Sequence, residues 1–189
     1  FVFARTWQDT EAPRAGCVLT KSLLIPMSLW ERLDSFEGLF SELDHLPHDE
    51  SAKFIQPTYA EDCSLPRVLD PRTVELIEAM FLEGRQPIVF FESQEADSIV
   101  KRLLLALWPS LRRNFAVCSF SLAPRKIDGR DFDLLFAPKT SRSRFADWPG
   151  RRIDIAGSRE PRHRWSNTIA SQIFLSERPN LIANDTLGV

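Results

Sequence analysis

A chain of 189 residues with 43% apolar and 11% aromatic side chains, 14 Phe and 5 Trp among them, carries enough apolar surface to build a core, which excludes an intrinsically disordered chain. Its net charge of −2 gives no global attraction to nucleic acid or to an anionic membrane. The three cysteines, Cys17, Cys63 and Cys118, are odd in number and widely spaced, so a disulfide framework is not expected; reduced thiols in a cytoplasmic protein are. No apolar run reaches membrane-spanning length and no leader peptide is visible. The chain begins without Met, directly in a strand pattern, and ends without a clear stop. The expectation is one α+β domain over 1–189, the N-terminal fragment of a larger multidomain protein.

In chain order, Phe1 to Trp7 alternates and predicts a first strand. A loop with Pro13 and Gly16 leads to Cys17–Ile25, a second strand expected to pair antiparallel with the first, with Lys21 at an edge or cavity-facing position. Ser28 and Glu31 have the spacing of a capping box, and a helix after it is expected to bury Leu29, Trp30, Leu33, Phe36, Phe40 and Leu43. A long polar segment follows, in which Phe54 and Ile55 form a short extended piece. Asp70-Pro71 predicts a helix start, with Val74, Ile77, Met80 and Phe81 on the buried stripe and Gly84 as C-cap.

Residues 87–138 hold the densest apolar runs and organise the rest. Pro87–Phe91 predicts a buried strand. Ser93 then caps a helix whose first turn holds Glu95 and Asp97. Ile99, Val100, Leu103, Leu104, Leu107 and Trp108 form its apolar face, with Lys101 and Arg102 on the other side, and Pro109 ends it. Phe115–Leu122 alternates, with Ala116, Cys118, Phe120 and Leu122 expected on the core side. A strand–helix–strand unit of this length is the usual parallel crossover. Asp128-Gly129 marks a tight turn into Phe132–Phe136, a third strand expected antiparallel to the second. The fold class is therefore α+β: a mixed sheet with a crossover and a hairpin, flanked by several helices. Beyond it, Phe145 and Trp148 anchor a short helical turn, Arg152–Ala156 forms a short strand, and Trp165–Leu175 a last helix with Ile169, Ile173 and Phe174 inward.

Charge is uneven. Residues 1–70 carry 6 basic and 12 acidic side chains, whereas residues 124–164 carry 11 basic and 6 acidic. The Arg-rich loop segment 139–164 holds Arg142, Arg144, Arg151, Arg152, Arg159, Arg162 and Arg164, the candidate anion- or partner-binding residues, because a guanidinium offers phosphate two hydrogen bonds at once. The bland reading is a solvated loop in which these residues pair with Asp128, Asp131, Asp133, Asp147, Asp154 and Glu160. His45 and His48, with Asp44 or Asp49, suggest a metal pair, but Pro47 between them favours a plain surface loop. Cys118 with a distant His, or His163, would be needed for a cryptic hydrolase; a structural thiol is the commoner outcome. No hydrolase elbow, zinc-protease helix or phosphate loop is present, so no catalytic residue, cofactor or metal is expected.

Two blocks resemble one family. ARTWQDTEAPRAGCVLTKSLLIP (4–26) is similar to the opening of the N-terminal domain of bacterial GTPase-associated proteins: a strand with Arg-Thr, a proline–arginine–glycine turn, then an apolar strand ending in Ile-Pro. LWPSLRRNFAVCSFSLAPRKIDGRDFDLLFAP (107–138) resembles the later part of that domain. The resemblance implies a module of a large protein encoded beside a GTPase, in a bacterial conflict or anti-phage defence system. It implies protein contact or signal sensing without effector chemistry, with the GTPase or another nearby protein, and downstream domains of its own chain, as partners. Nucleic acid is a possible partner through the Arg-rich segment, a membrane is not.

Overall fold

The computed structural model describes residues 1–33, 35–44, 65–81, 84, 86–157, 161–179 and 181. The chain divides into two units, Phe1–Cys63 and Ser64–Val189. The fold class is α+β. Among the described residues parallel and antiparallel pairings both occur, in separate sheets: one four-stranded parallel sheet and two antiparallel pairs.

In the first unit, β1 (Val2–Gln8) and β2 (Val18–Leu24) pair antiparallel in full register from Val2↔Leu24 to Gln8↔Val18. One face of this hairpin holds Phe1 and Phe3. Phe1 stacks on Trp30 with ring centroids 3.8 Å apart, Phe3 meets Phe40 edge-on at 4.8 Å, and Trp30 meets Phe36 at 5.0 Å. Trp30 is fully buried, and Ile25, Leu33, Phe36 and Leu43 of the same unit are buried as well. The expected capping box at Ser28–Glu31 does not form: α1 spans only Met27–Trp30, with Pro26 as its N-cap and no side-chain cap. The single helix expected there is two, because α2 begins at Glu37 and runs to Asp44. Trp30, Leu33 and Phe36 lie three apart, and on an unbroken helix of 3.6 residues per turn such steps drift round the axis. The break lets all three be buried together. His45, His48, Asp49, Phe54, Ile55 and Cys63 lie outside the described residues.

The parallel sheet of the second unit has the strand order β4-β7-β3-β8, with β3 at Ile88–Phe91, β4 at Val117–Cys118, β7 at Leu134–Ala137 and β8 at Arg151–Ile153. Every residue of β3 and β7 is buried, as an apolar run without alternation should be when both faces of a parallel sheet are covered. On one face Val89, Phe91, Leu135 and Ala137 pack with Phe145 and Trp148. These two aromatics anchor a 3-10 helix (Lys139–Phe145) and the turn after it. The other face presents Ile88, Phe90, Leu134, Phe136 and Ile153. The helices of this unit are α3 (Thr73–Phe81), α4 (Ala96–Ala106), the short α5 (Pro109–Arg112) and α6 (Arg164–Phe174), with α6 packed on both α3 and α4.

In four places the second unit departs from expectation. β7 runs parallel to β4, not antiparallel. The Asp128-Gly129 turn is real, with positive φ at both residues (49° and 77°), but it closes a separate small hairpin of β5 (Lys126–Ile127) and β6 (Arg130–Asp131). The Phe115–Leu122 strand pairs only at Val117 and Cys118, and its expected core side is reversed beyond them: Phe115 and Ser121 are buried while Phe120 and Leu122 are exposed. Cys118 Sγ bonds the Phe120 carbonyl and the Ser121 amide bonds the Phe136 carbonyl, so the chain bends where alternation assumed it ran straight. On α3 the buried face holds Leu76, Ile77 and Ala79 together with Glu75 and Glu78, and Val74, Met80 and Phe81 are only half-buried.

Gly150 leads into β8 against the Pro87 backbone, whose carbonyl accepts both the Arg151 amide and the Trp148 indole N–H. A Cβ at Gly150 would overlap that carbonyl. Gly150→Ala is therefore expected to cost about 1–3 kcal/mol by forcing β8 from β3. A urea unfolding midpoint unchanged from the parent would refute this close approach.

Candidate functional site

In open parallel sheets ligands bind at the carboxyl ends of the strands. Here that edge is occupied by charge. β3 ends at Phe91, and Glu92 follows with φ at 56°, a left-handed value uncommon for a residue with a side chain. The turn is held from both sides. The Glu92 amide donates to the Ala137 carbonyl at 2.9 Å, and Arg72 donates to the Phe91 carbonyl at 2.6 Å. The Arg72 guanidinium also chelates Asp70 through Nε (2.9 Å) and Nη2 (2.6 Å) and lies 4.5 Å from the centre of the Phe90 ring. The Glu92 carboxylate accepts from Arg142 at 2.6 Å, and the same guanidinium pairs with Asp154, just past β8. A line of alternating charge thus runs along the edge from β3 to β8.

The structure separates the candidate arginines into two groups. Arg142 and Arg151 turn inward: Arg142 bridges Glu92 and Asp154, and Arg151 pairs at 2.7 Å with Glu75, which is buried on α3. Arg144, Arg152, Arg162 and Arg164 are exposed, and Arg152 donates to the Ala146 carbonyl. Arg159 lies outside the described residues. Arg151 and Arg152 point to opposite faces because they are neighbours on a strand.

Of the buried charges that periodicity missed, Glu78 and Arg102 both grip α6. Glu78 on α3 accepts from the His163 amide at 3.0 Å and the Ser166 hydroxyl at 2.9 Å, at the amino end of α6. Burial raises its carboxyl pKa, but hydrogen bonds from His163, Ser166 and the Arg162 backbone, with the charge of His163, outweigh this and hold it below the ordinary value. Arg102, expected on the solvent side of α4, is fully buried. It donates to the carbonyls of Ile173 (2.8 Å) and Ser176 (3.0 Å) at the other end of α6, and to those of Leu65 (2.6 Å) and Pro66 (2.8 Å). Burial first, and the charge of Arg67 second, lower its pKa. For Glu75 and Glu78 a signal existed: α3 reads TVELIEAMF, apolar at most positions, and carboxylates on a helix so largely buried need internal partners.

Neither residue of the hydrolase reading gains a catalytic neighbour among the described residues. The Cys118 thiol donates to the Phe120 carbonyl, and the exposed His163 ring lies 6.0 Å from Trp165. A shallow cleft of about 280 Å³ between the start of α4 (Gln94–Ser98) and Ser119-Phe120, and another of about 320 Å³ by Gln86-Pro87 and Gly129–Asp133, contain neither residue. Among the described residues there is no metal-ligating cluster, and no helix is long and apolar enough to cross a membrane.

In the first unit the charged strand residues are drawn to one face. Arg5 and Lys21 are direct cross-strand partners, a repulsive pairing of like charges. Arg5 pairs with Asp44, while Lys21 bonds the Glu42 carbonyl in the last turn of α2, where a cation also meets the negative helix end. The opposite face, formed by Val2, Ala4, Thr6 and Gln8 with Leu24, Ser22, Thr20 and Val18, is exposed throughout and has no charge.

Residues 1–43 match the family model of GTPase-associated protein 1, N-terminal domain type 1. The matched residues lie in the first unit and include the block 4–26; the block 107–138 lies outside them. Nothing among curated proteins and nothing among solved structures matches the chain.

The depressed pKa of Glu78 has a stability consequence with a definite sign. A carboxyl held below its ordinary value of 4.5 stabilises the fold above that pH, and the contribution is lost as pH falls through the folded value. Glu78→Gln is expected to cost about 1–3 kcal/mol at neutral pH and to flatten the acid side of the stability curve. Urea midpoints from pH 7 to 3 check both; an unchanged acid limb would show that Glu78 does not carry it.

Proposed function

We propose that this chain is a non-catalytic protein-interaction or signal-sensing module of a GTPase-linked bacterial conflict or anti-phage defence system. It acts in the cytoplasm with a GTPase encoded nearby and with downstream domains of its own protein. The observation that carries this reading is the match of residues 1–43 to the N-terminal domain of a GTPase-associated protein. The geometry of that unit supports it. Its strand charges are spent on α2, and its other face offers uncharged, partly apolar side chains to a partner, including Val2 at 59% exposure and Leu24 at 80%.

A second reading, a nucleic-acid or phosphoanion sensor, is favoured by a specific observation. Arg144, Arg152, Arg162 and Arg164 are exposed and have no carboxylate partner among the described residues. Arg142 and Arg151 are committed to internal pairs and are poor members of such a site.

Capture from native lysate with GTP, GDP or no nucleotide, at low and high salt, separates the two. A GTPase recovered at both salts, and lost with Val2→Asp plus Leu24→Asp, is the expected result. Recovery of nucleic acid alone, vanishing at high salt, would overturn the interaction reading, and Arg162→Ala with Arg164→Ala should then flatten the salt dependence.

A further inference from the structure

The chain enters the second unit along α4. Residues 65–70 have no regular secondary structure, and two side chains of opposite charge hold their backbone. At one end Arg102 donates to the carbonyls of Leu65 (2.6 Å) and Pro66 (2.8 Å). At the other, the Glu95 carboxylate accepts from the amides of Leu69 and Asp70, both at 3.1 Å. Glu95 and Arg102 stand two helical turns apart, about 10 Å, which is the reach of the extended backbone from Pro66 to Leu69. Between them the Val68 amide donates to the Phe174 carbonyl at 3.0 Å, at the end of α6. Of the side chains in this stretch Val68 alone is buried; Pro66, Arg67 and Leu69 are exposed, Leu69 at 76%. Backbone contacts and one small apolar side chain thus hold the segment down, while the charge of its own Arg67 works against the Arg102 guanidinium.

The same guanidinium donates to the Ile173 and Ser176 carbonyls at the end of α6. When residues 65–70 lift away, Arg102 keeps only those two acceptors and the Phe174 carbonyl loses the Val68 donor. Buried groups left unpaired cost more than the bonds themselves contribute, so water must enter and the end of α6 loosens too. We propose that residues 65–70 form a releasable strap, which opens together with the carboxyl end of α6 while the parallel sheet stays folded. The coupling is reciprocal: loosening that end of α6 weakens the strap by the same free energy. Partial opening of this kind draws on segments with few buried side chains, and β3 and β7, buried at every residue, lie at the opposite extreme. The strap is the first described stretch after the unit boundary at Cys63, so anything that draws the chain away ahead of it acts first on these bonds. The strap opens or stays shut without any GTPase or nucleic acid, so this inference stands apart from both functional readings.

The test is hydrogen–deuterium exchange of the whole chain at neutral pH, read by mass spectrometry of its peptides. Amides of 65–70 and of 173–176 are expected to share one level of protection, lower than that of β3 and β7. Glu95→Ala removes an acceptor from the strap, and Glu95 bonds nothing in α6 among the described residues. It should nevertheless speed exchange about tenfold at both segments, the loss of a hydrogen bond to a charged group, and leave β3 and β7 unchanged. Asp97→Ala, in the next turn of the same helix and without a bond to the strap, should move neither. Arg102→Leu should speed both segments most. Circular dichroism identifies a variant that fails to fold, and Glu95→Ala decides the question if Arg102→Leu does. Segments as protected as β3 and β7 in the parent, a Glu95→Ala chain in which 173–176 does not change, a sheet that exchanges along with the strap, or an equal effect of Asp97→Ala would each overturn the proposal.

Discussion

The second unit depends on how α6 is held at its two ends. A helix leaves amide donors unpaired at its start and carbonyls unpaired at its finish, and its aligned peptides place partial positive and negative charge there. Glu78 meets the amino end and Arg102 the carboxyl end, each from a different helix, α3 and α4. Both side chains are buried, and a buried charge is costly unless hydrogen bonds satisfy it. The helix termini satisfy them, so two costs offset each other. Arg102 adds the carbonyls of Leu65 and Pro66, which ties the start of the unit to its last helix across more than a hundred residues of chain.

The same economy of charge governs the carboxyl edge of the sheet. Asp70, Arg72, Glu92, Arg142 and Asp154 alternate in sign, and their bonds hold Glu92 in its left-handed conformation. Where many parallel sheets open towards a ligand, this one holds paired charge beyond β3 and β8. What the second unit offers to solvent is the outward arginines. The inward ones act as internal fasteners, so the basic character of residues 139–164 overstates the cation available to a partner.

In the first unit the balance is made by aromatic rings. Phe1, Phe3 and Phe36 meet the Trp30 ring and Phe40 meets Phe3, and the hairpin can lay only one face on them. Arg5 and Lys21 share that face and are neutralised by the end of α2. The outer face is left uncharged as a direct result, because a strand alternates and the charges have gone to the other side.

Local pattern alone decided much of this protein. Alternation marked β1, an apolar segment between a Pro/Gly loop and Pro26 marked β2, unbroken apolar runs marked β3 and β7, Asp128-Gly129 marked a tight turn, and the opening block resembled the family model that residues 1–43 match. These features depend on nearest neighbours and on period, which a sequence carries openly. Strand direction, the break between α1 and α2, and the destinations of Glu75, Glu78, Arg102, Arg142 and Arg151 were decided only by tertiary structure. A charged side chain reads the same on paper whether it meets water or a helix end. Its burial is set by a partner that arrives from far along the chain, such as Ile173 for Arg102, and no local period records that meeting.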